Sequence, residues 1–166
     1  MNRFLGVIAF ASLLVVVPAT AVQARQPVRK PAPDLELSVD AGDFCPFAVT
    51  IHTLVNREKQ LIFLDESDNP VRIMITGTLI VRITNDDSEE SVVRNISGPA
   101  VLTVHEDGSL TVKLTGLTLL GLFPPDAGGP SLRVTHGLVV LQVAVAGTVT
   151  HTSIRGHAED LCQTLA

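Results

Sequence analysis

From residue 47 onward the chain repeats one pattern, apolar and polar residues alternating with period two, and this limits the accessible folds more than any other feature. Phe47, Val49 and Ile51 point to one side while Ala48, Thr50 and His52 point to the other; Leu110, Val112 and Leu114 oppose Ser109, Thr111 and Lys113 in the same way. The alternating residues are mostly Val, Ile, Thr and Leu, which fit a pleated, half-buried surface. The pattern predicts strands over 47–55, 58–64, 71–76, 78–84, 91–97, 100–105, 109–115, 131–136, 138–146 and 148–155. Short polar connections separate them, which suits antiparallel hairpins and not the long crossovers of a parallel sheet. Glu106-Asp107-Gly108 predicts a tight hairpin with Gly108 at positive φ, residues 65–70 and 85–90 are polar turns, and 124–130 is a longer loop. Leu138 to Ala146 is apolar on both faces, as in a central strand or one that lines an apolar cavity. Only 157–165 has room for a helix, of at most two turns. The expected fold is all-β: an antiparallel β-sandwich or β-barrel with at most one short C-terminal helix.

The first residues follow a different rule. Met1-Asn2-Arg3 precedes an apolar run from Phe4 to Val17, and small residues follow at Ala19, Ala21 and Ala24. This is the charged, apolar and small-residue order of a signal peptide, assigned to residues 1–24, with cleavage after Ala24 favoured over Ala21 because Arg25 opens a polar segment. The apolar run is too short to span a bilayer, which takes roughly 20 residues, and no later segment is a transmembrane candidate. Residues 25–43 are expected to form a flexible arm, since 25–33 holds three prolines and no apolar period, and 44–166 to form one domain. Export favours oxidation, and the two cysteines have one intramolecular pairing, Cys45 with Cys162.

The formal net charge is −5, and the leader takes away Arg3 and no acid, so the mature chain is more acidic still. Phosphate binding needs clustered basic residues, and the only lysines, Lys30, Lys59 and Lys113, make no patch; nucleic acid is not an expected partner.

Several short stretches carry a resemblance. They are Phe44-Cys45-Pro46-Phe47-Ala48-Val49, Ile83-Thr84-Asn85-Asp86-Asp87, Asn95-Ile96-Ser97-Gly98-Pro99, His105-Glu106-Asp107-Gly108-Ser109, Thr115-Gly116-Leu117-Thr118-Leu119-Leu120 and Asp160-Leu161-Cys162-Gln163-Thr164-Leu165-Ala166. In this order, with the paired cysteines, the chain resembles a family of small, functionally uncharacterised exported β-domain proteins, mostly from actinobacteria. Leu117-Thr118 departs from the Arg-Asn that relatives tend to carry. The resemblance implies an exported β-domain over nearly all of 44–166 and supplies no catalytic residue.

The chain has no Gly-x-Ser-x-Gly elbow, His-Glu-x-x-His pair, phosphate loop or dinucleotide fingerprint. The five histidines are the remaining candidates. His151, Ser153, Arg155 and His157 would share one face of the last strand, yet His151 and His157 are too far apart for one zinc and Arg155 between them opposes a cation. His136 alternates with Leu132 and Val134 and is expected to point inward, whereas His52 and His105 face solvent. Asp86, Asp87, Glu89 and Glu90 lack the spacing of a calcium loop, so neither metal nor cofactor is expected. Asn95-Ile96-Ser97 matches a glycosylation acceptor. The function expected is that of an exported, non-catalytic β-domain, a binding or interaction module whose loops and sheet edges meet a partner at the cell envelope or outside the cell. The alternative is a barrel that encloses an apolar small molecule, or an unrecognised active site, with His136 as the inward polar group.

Overall fold

The computed structural model describes residues 26–166; the leader and its two cleavage positions lie outside them. The alternating segments form β3 (Val49–Asn56), β4 (Lys59–Leu64), β5 (Pro70–Thr76), β6 (Leu79–Asn85), β7 (Ser91–Asn95) and β8 (Ala100–Val104), followed by three long strands, β9 (Leu110–Leu122), β10 (Ser131–Val143) and β11 (Val149–Asp160). They build two antiparallel sheets, one of seven strands in the order β1-β4-β5-β8-β9-β10-β11 and one of four in the order β2-β3-β6-β7, where β1 is Val28–Pro31 and β2 is Leu37–Val39. Hairpins join neighbours within a sheet and short crossovers carry the chain between the sheets, and the result is a sandwich with, among the described residues, a single short helix, α1 (Leu161–Thr164), capped by the Asp160 carboxylate.

Part of the expected flexible arm is paired. Val28–Pro31 adds to β4 and Leu37–Val39 to β3, and Asn56 donates to the carbonyls of Ala32 and Pro33 between them. Short edge strands tolerate proline where the missing N–H faces away from the ladder, so prolines alone did not exclude pairing here.

The long strands differ more. Segments 131–136 and 138–146 are one strand up to Val143, 109–115 continues to Leu122, and 148–155 continues to Asp160, leaving only four residues of helix. Gly116, Gly137 and Gly156, which look like strand ends in the sequence, lie side by side in register across β9, β10 and β11, all with positive φ. The ladder runs through them and bends. Ala127, in the loop that joins the Leu122–Ser131 end of β9 and β10, donates from its backbone N–H to the Val149 carbonyl, although Val149 pairs with Val143 at the other end of β10. Straight strands would separate those ends by about 40 Å, so β9–β11 fold back on themselves.

The bend divides the core. Leu132 and Val134 pack between the sheets with Val49, Ile51, Val81, Ile83, Leu161 and Leu165. Beyond Gly137 the buried residues are Val139 and Leu141, which pack with Leu120 and Leu122 inside the fold of the long strands. The buried parity has switched from even to odd. Thr118 and Thr135, opposite one another beside the glycine row, share a buried 2.7 Å hydrogen bond. The Cys45–Cys162 disulfide joins the start of the domain to α1, across 117 residues of sequence.

Candidate cavity between the sheets

Two tight crossovers lead from one sheet to the other on the same side of the sandwich. Arg57-Glu58 connects β3 to β4 and Gly77-Thr78 connects β5 to β6, and the Arg57 N–H donates to the Thr78 carbonyl at 2.7 Å. They are pressed together at Gly77, where a Cβ would lie 2.5 Å from the Arg57 carbonyl oxygen and from the Glu58 Cα. A third crossover, residues 96–99, is held by Ser97, whose hydroxyl accepts from the Leu79 N–H at 2.9 Å, and by the Gly98 N–H, which donates to the Leu117 carbonyl at 2.7 Å.

Between these crossovers and the two sheets lies a cavity of about 310 Å³ that opens to solvent. Leu35 and Leu37 line it from the β2 side, Ile51 and Leu79 from the four-stranded sheet, and Ile75, Ala100, Leu114, Leu119 and Leu132 from the seven-stranded sheet, with Phe44 and Ile96 completing the apolar wall. Polar lining is sparse. The Thr118 hydroxyl is already bonded to Thr135, and among the described residues Glu58 is the one ionisable lining residue. The crossover fixes the Glu58 backbone, its N–H donating to Asn56 Oδ1 at 2.9 Å and its carbonyl accepting from the Ala32 N–H at 3.1 Å. Its half-buried carboxylate has no hydrogen-bond or charged partner among the described residues, and desolvation pushes its pKa above the ordinary glutamate value.

The four residues named on the last strand all lie on β11, with Gly156 of the bend between Arg155 and His157. His151, Ser153, Arg155 and His157 stand opposite Gln142, Val140, Leu138 and His136. His136 is therefore not inward: it is exposed, beside the exposed His157 and Leu117, because the bend at Gly137 turns the side that is covered at Val134 out to solvent. His151 lies six residues from His157 along β11, on the order of 20 Å of extended strand. No group of three or more His, Cys, Asp or Glu among the described residues is placed to hold a metal ion.

The other two histidines are exposed, as expected. His52 Nδ1 meets Glu36 at 2.7 Å, and Glu36, which also accepts from the Thr53 N–H at 3.0 Å, is held below the usual glutamate range by those two bonds. This is the acid–imidazole half of a triad, but no hydroxyl or thiol among the described residues is bonded to the His52 ring. His105 Nε2 contacts Thr111 Oγ1 at 2.7 Å, and that hydroxyl donates to Gln142, so the ring donates and does not act as a base there. Asp86 accepts from Thr50, and Asn85 caps Asp87 and Ser88, making the acidic turn a hydrogen-bonded corner. In the glycosylation pattern Ile96 is buried and Asn95 Oδ1 accepts from the Ser97 N–H.

Glu58 is the site residue that sequence reasoning passed over. Its only signal is an acid in the polar run Asn56-Arg57-Glu58-Lys59 between two alternating segments, a pattern most often met in a solvated turn. Comparison with protein-family models, with curated proteins and with solved structures gives no match.

Proposed function

We propose that this chain is an exported, non-catalytic binding domain and that its binding site is the cavity between the two sheets, which takes a small apolar molecule. The observation that carries the reading is the cavity itself: about 310 Å³, walled by leucine and isoleucine from both sheets, with one carboxylate. Ligand sites are typically concave, mainly apolar and provided with few polar groups, in the range of roughly 300–1,000 Å³. Export rests on the leader pattern and on the resemblance to small exported actinobacterial β-domains. The disulfide suits an oxidising compartment, and no helix among the described residues is long and apolar enough to cross a membrane. The non-catalytic part of the reading rests on the sequence, which carries none of the common catalytic motifs. Binding through loops and edges, the first expectation from sequence, has less to recommend it than the cavity.

The test is native mass spectrometry of the protein from its own culture supernatant, joined to titration of the purified protein with the neutral fluorophore N-phenyl-1-naphthylamine. A discrete added mass, or saturable fluorescence abolished in a folded Ala100→Phe variant, supports the cavity site. A bare mass with no saturable fluorescence rejects it.

A further inference from the structure

Resting on the cavity reading, we infer that the ligand carries a positive charge, an amine on an apolar body, and that Glu58 is the residue that receives it. The argument starts from the lining. Every side chain around the cavity is apolar except Thr118, whose hydroxyl is committed to Thr135, and Glu58. Glu58 cannot retreat from the cavity by moving its backbone, because Asn56 and Ala32 fix its N–H and carbonyl, and Gly77 is packed against its Cα. The carboxylate stands half-buried without a partner among the described residues.

A carboxylate beside an apolar wall loses hydration and gains nothing in return unless a cation or donors meet it. Three polar head groups respond differently. A carboxylate head would be repelled, and a hydroxyl head would donate one hydrogen bond and leave the charge in place. An ammonium head neutralises the charge and donates a charge-assisted hydrogen bond, the strongest of the three. The upward shift of the Glu58 pKa by desolvation agrees with this, since it marks a carboxylate that a positive partner would relieve.

The experiment displaces bound N-phenyl-1-naphthylamine from the purified protein with octylamine, octan-1-ol and octanoate, three probes with one tail and three heads. Octylamine is expected to displace at about tenfold lower concentration than octanol, with octanoate the weakest. In Glu58→Gln the amine advantage over octanol, each measured against that variant's own fluorophore affinity, should fall to about twofold or less. If that variant does not fold, the Glu58 side-chain carboxyl ¹³C resonance of the wild-type protein decides: it should move on adding octylamine and not on adding octanol. Equal displacement by the three heads, a preference for octanoate, or an unmoved carboxyl resonance overturns the inference while leaving the cavity site standing. Failure of the fluorophore itself to bind, together with a bare native mass, removes both.

Discussion

A methyl group at Gly137 would lie 2.1 Å from the Arg155 carbonyl oxygen, and one at Gly156 would lie 2.1 Å from that of His136, with φ at +147° and +132°. Neither contact can relax by rotating a side chain, since both partners are backbone. Gly137→Ala should therefore cost about 3 kcal/mol or more of unfolding free energy by urea titration. Gly147→Ala is the control: φ is +89° but nothing lies within 4 Å of the new methyl group, so a loss of about 1 kcal/mol is expected. A charged pair offers a second residue-scale test. Arg94 grips Glu159 through Nε at 2.9 Å and Nη2 at 2.5 Å, which holds the Glu159 pKa below the usual range and raises that of Arg94. A lowered folded-state pKa means the contribution is complete above the unfolded-state value and is lost as pH falls through the folded one. Both side chains are about a third exposed, at 29% and 36%, so Glu159→Gln should cost only about 0.5–1 kcal/mol at pH 7. The difference from wild type should vanish in acid below the depressed Glu159 pKa; a constant difference across that range would show that the pair's charge is not its source.

The loop of residues 123–130 is held down as a unit by one side chain. Asp126 Oδ2 accepts from the Phe123 N–H and Oδ1 from the Val149 N–H, both at 2.8 Å, while Ala127 bonds the Val149 carbonyl and accepts from Thr152 Oγ1 at 2.6 Å. Asp126→Ala should loosen this closure of the bent strands at a cost of about 1.5–3 kcal/mol, with faster hydrogen exchange at the Val149 and Phe123 amides. Unchanged exchange at Val149 would show that the bend holds without the loop. What could be read in advance at this scale follows from the same features. The strands β3, β6 and β7 are legible because one face of each is better covered than the other and the residues alternate cleanly; Gly108 is legible because its φ of +83° closes a turn of few residues. The long strands are not, because a positive-φ glycine has the same local signature whether it ends a strand or bends one. Only the register that sets Gly116, Gly137 and Gly156 side by side tells the two apart, and register is a relation between strands. The inward reading of His136 failed for that reason: its parity is right for Leu132 and Val134 and wrong one residue before the bend.

For the molecule as a whole, the all-β class and the cysteine pairing were readable from periodicity and from the single intramolecular option, but the cavity was not. Its wall draws on both sheets and its charge on a crossover, so no one segment contains it. The Cys45–Cys162 bridge closes most of the domain into one loop, and in the chain-entropy account a loop that long contributes about 4–5 kcal/mol. Cys45→Ala with Cys162→Ala should lower stability by about that amount in urea, and a loss near zero would place the stabilisation elsewhere. The same bridge also governs how the domain would bear mechanical load. Tension applied between residue 26 and Ala166 runs from Cys45 to Cys162 through the covalent bond, which shields the enclosed residues from the pull. In an optical trap, the oxidised protein should lengthen only by peeling β1 and β2 and straightening the few residues after Cys162. The reduced protein should release both sheets, so in a domain tethered at its ends the cavity walls that lie between Cys45 and Cys162 would survive strain only while the cystine remains closed, whereas the Leu35 and Leu37 side would be lost in either state.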